Sequence, residues 1–127
     1  MNQELRSLVG TEIERKFLVT SDAWQESALD GVSILQGYIT TGPPIAVRVR
    51  LAGEKATLNL KKSTVDIARD EFEYPIPIGE AAQLLGHFCV GHAIQKRRYK
   101  VDYKGFTWDV DVFEGSNEGL VVAEIEL

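Results

Sequence analysis

Acidic and basic side chains alternate within single extended stretches of this sequence, and their types suit phosphate and metal chemistry. Glu12, Glu14 and Lys16 are spaced two residues apart, as are Arg48 and Arg50. Residues two apart in a β-strand lie on the same face of the sheet, so each stretch places its charges side by side. Guanidinium and ammonium groups bind phosphate oxygens, whereas carboxylates bind hard cations such as Mg²⁺ or Mn²⁺.

The same alternation recurs along the chain and predicts one charged face shared by several strands. Its cations are Lys16, Arg48, Arg50, Lys61, Arg69, Lys96 and Arg98, and its carboxylates are Glu12, Glu14, Glu71, Glu73, Asp109, Asp111, Glu124 and Glu126. A polyphosphate chain bridged to a divalent metal would satisfy both sets. Two alternatives remain open at this point: a network of internal salt bridges without a ligand, and a solvated face of a sheet.

The elements that must position these charges are predominantly β-strands. Alternating polar and apolar residues predict eight strands, at about 11–19, 32–41, 45–51, 55–62, 67–77, 93–103, 106–113 and 120–127. Two short helices are predicted at 21–30, capped by Ser21, and at 79–87. Two short helices cannot cover eight strands, and so wide a sheet tends to curl or close. Charges inside such a fold require a charged ligand or ions.

Composition restricts the class of protein further. The chain has 127 residues, of which 44% are hydrophobic and 26% charged, which predicts one domain. The net charge of -5 argues against a nucleic-acid partner, unless the cations are segregated inward. No run of about 18 apolar residues and no secretory signal is present, so we expect a cytoplasmic protein without a membrane partner. The sequence leaves open a monomer or a homodimer.

Cysteine and histidine offer little as metal ligands. Cys89 is the only cysteine, which excludes an internal disulfide and a thiolate-rich metal site. The spacing of Cys89, His87 and His92 matches no compact zinc pattern. We expect these three residues to have loop or core roles.

The motifs resemble a known family when they are taken together. They are EIERKFLV, LQGYI, VRVR, LNLKK, RDEFEYPIP, QKRRY, TWDVDVFEG and GLVVAEIEL, in this order, and the resemblance spans residues 10–127. They resemble the triphosphate tunnel metalloenzymes of the CYTH superfamily, and most of all its compact bacterial inorganic tripolyphosphatases. The resemblance implies an eight-stranded antiparallel closed barrel that forms a charged tunnel, in which a divalent metal supports hydrolysis of tripolyphosphate to diphosphate and phosphate.

The resemblance also implies roles for individual residues. Metal ligands would be Glu12, Glu14, Asp111, Glu124 and Glu126, and triphosphate ligands would be Lys16, Arg48, Arg50, Lys61, Arg69, Lys96 and Arg98. For catalysis we expect Lys16 or Tyr38 to orient the scissile end of the substrate, and Lys96 or Arg98 to stabilise the leaving diphosphate.

Other outcomes within and outside the family stay open. The superfamily also contains adenylate cyclases and thiamine triphosphatases, and a non-catalytic module that binds polyphosphate or nucleotide is a further alternative. We expect residues 1–10 to be a flexible lead and residues 11–127 to form the tunnel domain. Similar members continue past AEIEL into a polar segment and a helix, so this domain is expected to lack a C-terminal helix.

Overall fold

The structure, a computed structural model, describes residues 11–62 and 68–126. Side chains are described within these ranges except at 11–14, 68–70 and 126. The predicted flexible lead, residues 1–10, lies outside the described residues. None of the helices in the described ranges is long and apolar enough to cross a membrane.

The eight predicted strands are present and antiparallel, and one of the two predicted helices is an α-helix. The strands are β1 (Thr11–Leu18), β2 (Val32–Thr40), β3 (Ile45–Ala52), β4 (Lys55–Lys62), β5 (Ala68–Pro75), β6 (Val90–Tyr103), β7 (Phe106–Glu114) and β8 (Val121–Glu126). The helix α1 (Ile78–His87) lies between β5 and β6, and two 3₁₀ turns occupy Ala23–Ser27 and Gly115–Asn117.

The order of hydrogen-bonded neighbours is β1-β5-β4-β3-β2-β6-β7-β8, and β1 pairs with β8 as well as with β5. All these pairings are antiparallel. The β1–β5 contact has three register pairs, from Thr11–Asp70 to Ile13–Ala68. The β1–β8 contact has five, from Glu14–Glu126 to Leu18–Val122.

Both faces of the sheet are buried at β3. This is shown by two consecutive residues of the strand that are both hidden from solvent. On β3, Arg48 is 7% exposed and the next residue, Val49, is 0% exposed. Strand side chains alternate between the faces, so Arg48 belongs to an inner, polar face and Val49 to an outer, apolar one. The predicted segregation of charge to one face therefore holds on this strand.

The helix α1 covers the outer face of β3 and β4. Ala81 is fully buried and packs with Val49 and Ala56. Leu84 and Leu85, three and four residues further along the helix, contact the same cluster, as expected for one apolar face of an amphipathic helix. Cys89 also packs against this cluster, and burial raises the pKa of its thiol. Of the loop or core roles expected for Cys89, the structure shows the core role.

The helix predicted at 21–30 is wrong in type and length. Only Ala23–Ser27 is helical, as a 3₁₀ turn, and Asp22 at its start makes no side-chain cap. Ser21 instead accepts a hydrogen bond from Ala23 N at 3.1 Å. The chain then becomes extended because Ala28 bridges to Val101 of β6. This long-range pairing overrides the local helical preference.

Replacing Val49 with Ala should lower the free energy of unfolding by about 2 kcal/mol, because a fully buried side chain loses apolar contacts and leaves a cavity. Urea denaturation measures the change. Leu29 is 66% exposed, so Leu29→Ala should change stability by less than about 0.5 kcal/mol. Equal losses in the two variants would contradict the assignment of the core.

Candidate functional site

Among the side chains that the structure describes, five buried polar ones line the inner face, and each comes from a different strand. They are Gln36, Arg48, Asn59, Lys96 and Asp111, all 7% exposed or less. Burial of charged and amide groups costs free energy unless hydrogen bonds or ion pairs compensate. The contacts among these residues and their neighbours therefore define the interior.

Asp111 on β7 is the centre of one wall of this interior. It is 1% exposed, and Arg98 binds it with two bonds, Nε to Oδ1 at 2.7 Å and Nη2 to Oδ2 at 2.9 Å. Lys96 Nζ donates to Oδ2 at 2.7 Å. Arg98 Nη2 also reaches Glu124 Oε1 on β8 at 2.7 Å. Strands β6, β7 and β8 are thus joined by one network, which we call the aspartate wall (Lys96, Arg98, Asp111 and Glu124).

Electrostatics reinforce the network of the aspartate wall. Burial alone would raise the pKa of Asp111, but the hydrogen bonds from Arg98 and Lys96 outweigh it and hold the pKa at about 2. Burial lowers the pKa of Lys96, although Asp111 partly opposes the shift. The Lys96 ammonium also lies 5.3 Å from the centre of the Phe113 ring, a favourable cation–π distance.

The opposite wall, formed by β3, β4 and β5, is built around a neutral amide. Asn59 is 0% exposed and donates to Glu71 Oε1 at 3.1 Å and to Glu73 Oε1 at 2.8 Å. Arg48 Nη2 and Lys61 Nζ each lie 3.7 Å from Glu71 Oε1. We call these five residues the amide wall.

Arg50 on β3 lies between like charges. Burial, followed by repulsion from Arg48 and Arg98, lowers the pKa of Arg50 to about 10. Its Nε donates to Gln36 Oε1 at 2.9 Å, which fixes the plane of the guanidinium. A second guanidinium, that of Arg48, has a buried Nε without a hydrogen-bond partner among the described residues. Such a group of cations is suited to binding a multiply charged anion.

The structure brings most of the predicted site residues together. Lys96, Arg98, Asp111 and Glu124 are bonded to one another, Arg48 and Lys61 share Glu71, and Arg50 interacts with both Arg48 and Arg98. Lys16 is more peripheral, with its side chain 57% exposed and its Nζ 4.0 Å from Glu124 Oε2. Tyr38 is half-buried and lies opposite Arg48 in the β2–β3 register.

The remaining predicted site residues have side chains outside the described part. They are Glu12, Glu14, Arg69 and Glu126. Their backbone positions are described: Glu12 is in register with Arg69, and Glu14 with Glu126.

Comparison with known proteins identifies the family. The profile of the CYTH domain matches residues 10–127. This chain belongs to the CYTH domain family. It is 49% identical over 119 residues to the inorganic triphosphatase of Acetivibrio thermocellus, and the match covers 94% of this chain and 76% of that relative.

Solved structures agree with the assignment to the CYTH family. One of them is the crystal structure of the inorganic triphosphatase NE1496, whose sequence is 31% identical to this chain. The two structures superpose with a TM-score of 0.64, and the match covers 91% of this chain and 73% of that one. The PH1012 protein from Pyrococcus horikoshii OT3 shares the fold, with a TM-score of 0.70 at 20% identity over 91% of this chain and 77% of that one. The resemblance inferred from the motifs is confirmed.

Two interior residues of this CYTH domain were missed as site residues. Gln36 and Asn59 carry no charge, so the alternation of charges along the strands does not mark them. A signal was nevertheless present, because Asn59 is two residues from Lys61 and so belongs to the same face of β4. Asp109, predicted on the inner face, lies 3.6 Å from Arg98 Nη1 through its Oδ2.

The predicted metal ligands are only partly described. Among the described residues, no three His, Cys, Asp or Glu side chains are grouped so that they could hold a metal ion, and Asp111 is bonded to cations through both oxygens. In the β1–β8 register, Glu14–Glu126 lies two positions from Lys16–Glu124. The predicted donors are all carboxylates, which suit Mg²⁺ or Mn²⁺ better than soft metals.

Replacing Asp111 with Asn should lower the free energy of unfolding by about 3 kcal/mol at pH 7, because two cations lose their buried counter-ion. The pKa of Asp111 is about 2 in the folded protein and ordinarily 3.8. Its stabilising effect is therefore complete above pH 4 and disappears as the pH falls towards 2.

The difference between the wild type and Asp111→Asn should accordingly shrink over that pH range in urea titrations. Asp102→Asn is a control, because Asp102 is exposed and, among the described residues, its side chain accepts a hydrogen bond from the hydroxyl of Thr107. A difference that stays constant from pH 7 to pH 2 would contradict the central role of Asp111.

Proposed function

We propose that this protein is a divalent-metal-dependent inorganic triphosphatase that hydrolyses tripolyphosphate to diphosphate and phosphate. The observation that carries the proposal is a group of three guanidiniums, those of the buried Arg48 and the half-buried Arg50 and Arg98, whose repulsion contributes to lowering the pKa of Arg50. A linear triphosphate has the charge and the length to bridge cations contributed by several strands. The 49% identical relative named inorganic triphosphatase supports this choice of substrate.

The proposed site is a tunnel enclosed by all eight strands. Its support is the position of β1, which pairs with β5 on one side and β8 on the other. An enclosed interior limits water and strengthens each electrostatic contact with the substrate. The β1–β5 contact has only three register pairs in the described residues, fewer than any other strand pairing, so closure of the proposed tunnel is weakest there.

Substrate binding is assigned to cations of the two walls and of β3. Arg48, Arg50 and Lys61 would bind phosphate oxygens from one side, and Lys96 and Arg98 from the other. Arg69 is assigned to the same set from its register opposite Glu12. Arginine provides planar, bidentate contacts and lysine a compact charge, so the two residue types together fix the phosphate chain in one register.

Hydrolysis would proceed by in-line attack of water on a terminal phosphorus. The water oxygen would form a bond to phosphorus and release a proton to solvent, while the bridging P–O bond breaks and its electron pair leaves with the diphosphate. We assign Lys96 to stabilisation of that leaving group, because its pKa, lowered by burial, makes it a better proton donor than an exposed lysine. Lys16 and Tyr38 would orient the scissile end.

The metal is assigned to Glu12, Glu14, Glu124 and Glu126. Mg²⁺ or Mn²⁺ held there would neutralise phosphate charge and lower the pKa of water. Asp111 was predicted as a fifth ligand, but both its oxygens are bonded to Arg98 and Lys96. We therefore assign Asp111 to the organisation of those two cations.

The test is to incubate the purified protein with tripolyphosphate, ATP or thiamine triphosphate, with and without Mg²⁺ or Mn²⁺, and to identify the products. We expect phosphate and diphosphate from tripolyphosphate, only with metal. Glu124→Gln should reduce kcat by at least about 100-fold, whereas Glu118→Gln, on an exposed loop, should not. Cyclic AMP from ATP, or tight binding of tripolyphosphate without products, would replace the proposal with one of the alternative functions.

Replacing Arg50 with Gln should raise KM for tripolyphosphate by about 10- to 100-fold, the value of one charge-assisted hydrogen bond. Arg97 provides a matched control because it lies on the outer face of β6 and donates to Gly31 O at 2.9 Å. Arg97→Gln should therefore leave KM unchanged. Steady-state kinetics at fixed ionic strength make the comparison, and equal effects of the two substitutions would place the substrate elsewhere.

A further inference from the structure

Asn59 occupies a position at which its side chain can control the charges around it. It lies on β4, in register with Arg48 on β3 and with Glu73 on β5. It is 0% exposed, and its amide contacts three side chains from inside the fold. No charge marks it as a site residue, yet it lies at the centre of the amide wall.

Every polar atom of this amide is engaged. Nδ2 donates to Glu71 Oε1 at 3.1 Å and to Glu73 Oε1 at 2.8 Å. Oδ1 accepts a hydrogen bond from Thr57 Oγ1 at 3.1 Å. An amide has only two side-chain donor hydrogens, so both are used on carboxylates. The reverse orientation would direct Oδ1 at two anions, and the observed orientation is therefore strongly preferred.

Glu71 is held at a distance from the two cations of the amide wall. Its Oε1 lies 3.7 Å from both Arg48 Nη2 and Lys61 Nζ, beyond the length of a hydrogen bond. In the aspartate wall, by contrast, Lys96 and Arg98 approach Asp111 to 2.7 Å. The two walls therefore differ in the distances between their own cations and carboxylates, and in that Asn59 donates a hydrogen bond to the carboxylate of Glu71.

We propose that Asn59 is a positioning residue for substrate binding, which holds Glu71 away from short ion pairs with Arg48 and Lys61 so that both cations can bind the phosphate chain. The buried Arg48 Nε, which has no hydrogen-bond partner among the described residues, is a donor that a phosphate oxygen would satisfy. This inference rests on the proposed function. It adds the residue that keeps the cations of the amide wall available to the substrate.

The direct test is Asn59→Leu, which keeps the branched shape and removes the donor. Glu71 should then form a short ion pair with a cation of its own wall and compete with the substrate. We expect KM for tripolyphosphate to rise about 10-fold with kcat within about 2-fold of the wild type, the pattern of lost uniform binding. Isothermal titration calorimetry with tripolyphosphate in the absence of metal should show weaker binding by a similar factor. Asn59→Ala cannot overpack the site and should act in the same direction.

A double-mutant cycle separates positioning from a merely structural role. In Asn59→Leu/Glu71→Gln the competing carboxylate is neutral, so KM should return towards that of Glu71→Gln alone. A structural role for Asn59 predicts instead that the two substitutions add. Val49→Ala serves as the stability control, because it weakens the outer core and should lower Tm without changing KM.

The outcomes distinguish this inference from the proposed function. If the wild type hydrolyses tripolyphosphate and Asn59→Leu and Asn59→Ala keep its KM, the positioning role is wrong and the proposed function stands. Additive effects in the cycle overturn the positioning role as well. If the wild type neither hydrolyses nor binds tripolyphosphate, both proposals fail.

Discussion

The buried ion pairs of Asp111 are the interaction on which the interior depends. Arg98 and Lys96 belong to β6 and Asp111 to β7, and Arg98 continues to Glu124 on β8. Three charges removed from water carry a large desolvation cost, which such pairs often only balance. We expect these pairs to contribute more to specificity than to net stability, since any arrangement that separates them leaves a buried charge uncompensated. We therefore expect these pairs to favour the observed register of β6, β7 and β8 over other registers.

The two walls use different means to keep like charges close together. In the aspartate wall, each cation is neutralised by direct contact with a carboxylate. In the amide wall, Asn59 satisfies two carboxylates without adding charge. Arg50 lies close to cations of both walls. Burial, together with repulsion from Arg48 and Arg98, lowers its pKa to about 10. It remains protonated at neutral pH, so the interior keeps a positive region suited to an anion.

Local patterns of sequence predicted the strands and the charged face because strand periodicity is a property of neighbouring residues. The period of two was sufficient to separate Arg48 from Val49, and Arg98 from Arg97, in agreement with their burial and contacts. What the pattern lacks is cross-strand register. The bonds of Asp111 to Arg98 depend on the pairing of β6 with β7, and the loss of the helix at 21–30 depends on the Ala28–Val101 bridge. The neutral amides Gln36 and Asn59 could not be predicted as site residues for a different reason, since an alternating Asn or Gln also occurs on solvated strands.

The position of β1 in the fold gives the site a further constraint. Lys16 pairs in register with Glu124, and Glu14 with Glu126, so the proposed metal ligands Glu14, Glu124 and Glu126 all belong to the pairing of the first and last described strands. These contacts join residues more than 100 positions apart, and contacts of such sequence separation carry a high entropic cost before they form. The cations of β3, β4 and β6 are held by nearer pairings. The proposed phosphate-binding cations of these three strands can therefore be arranged by the middle of the chain, whereas the proposed metal ligands come together only when β1 pairs with β8.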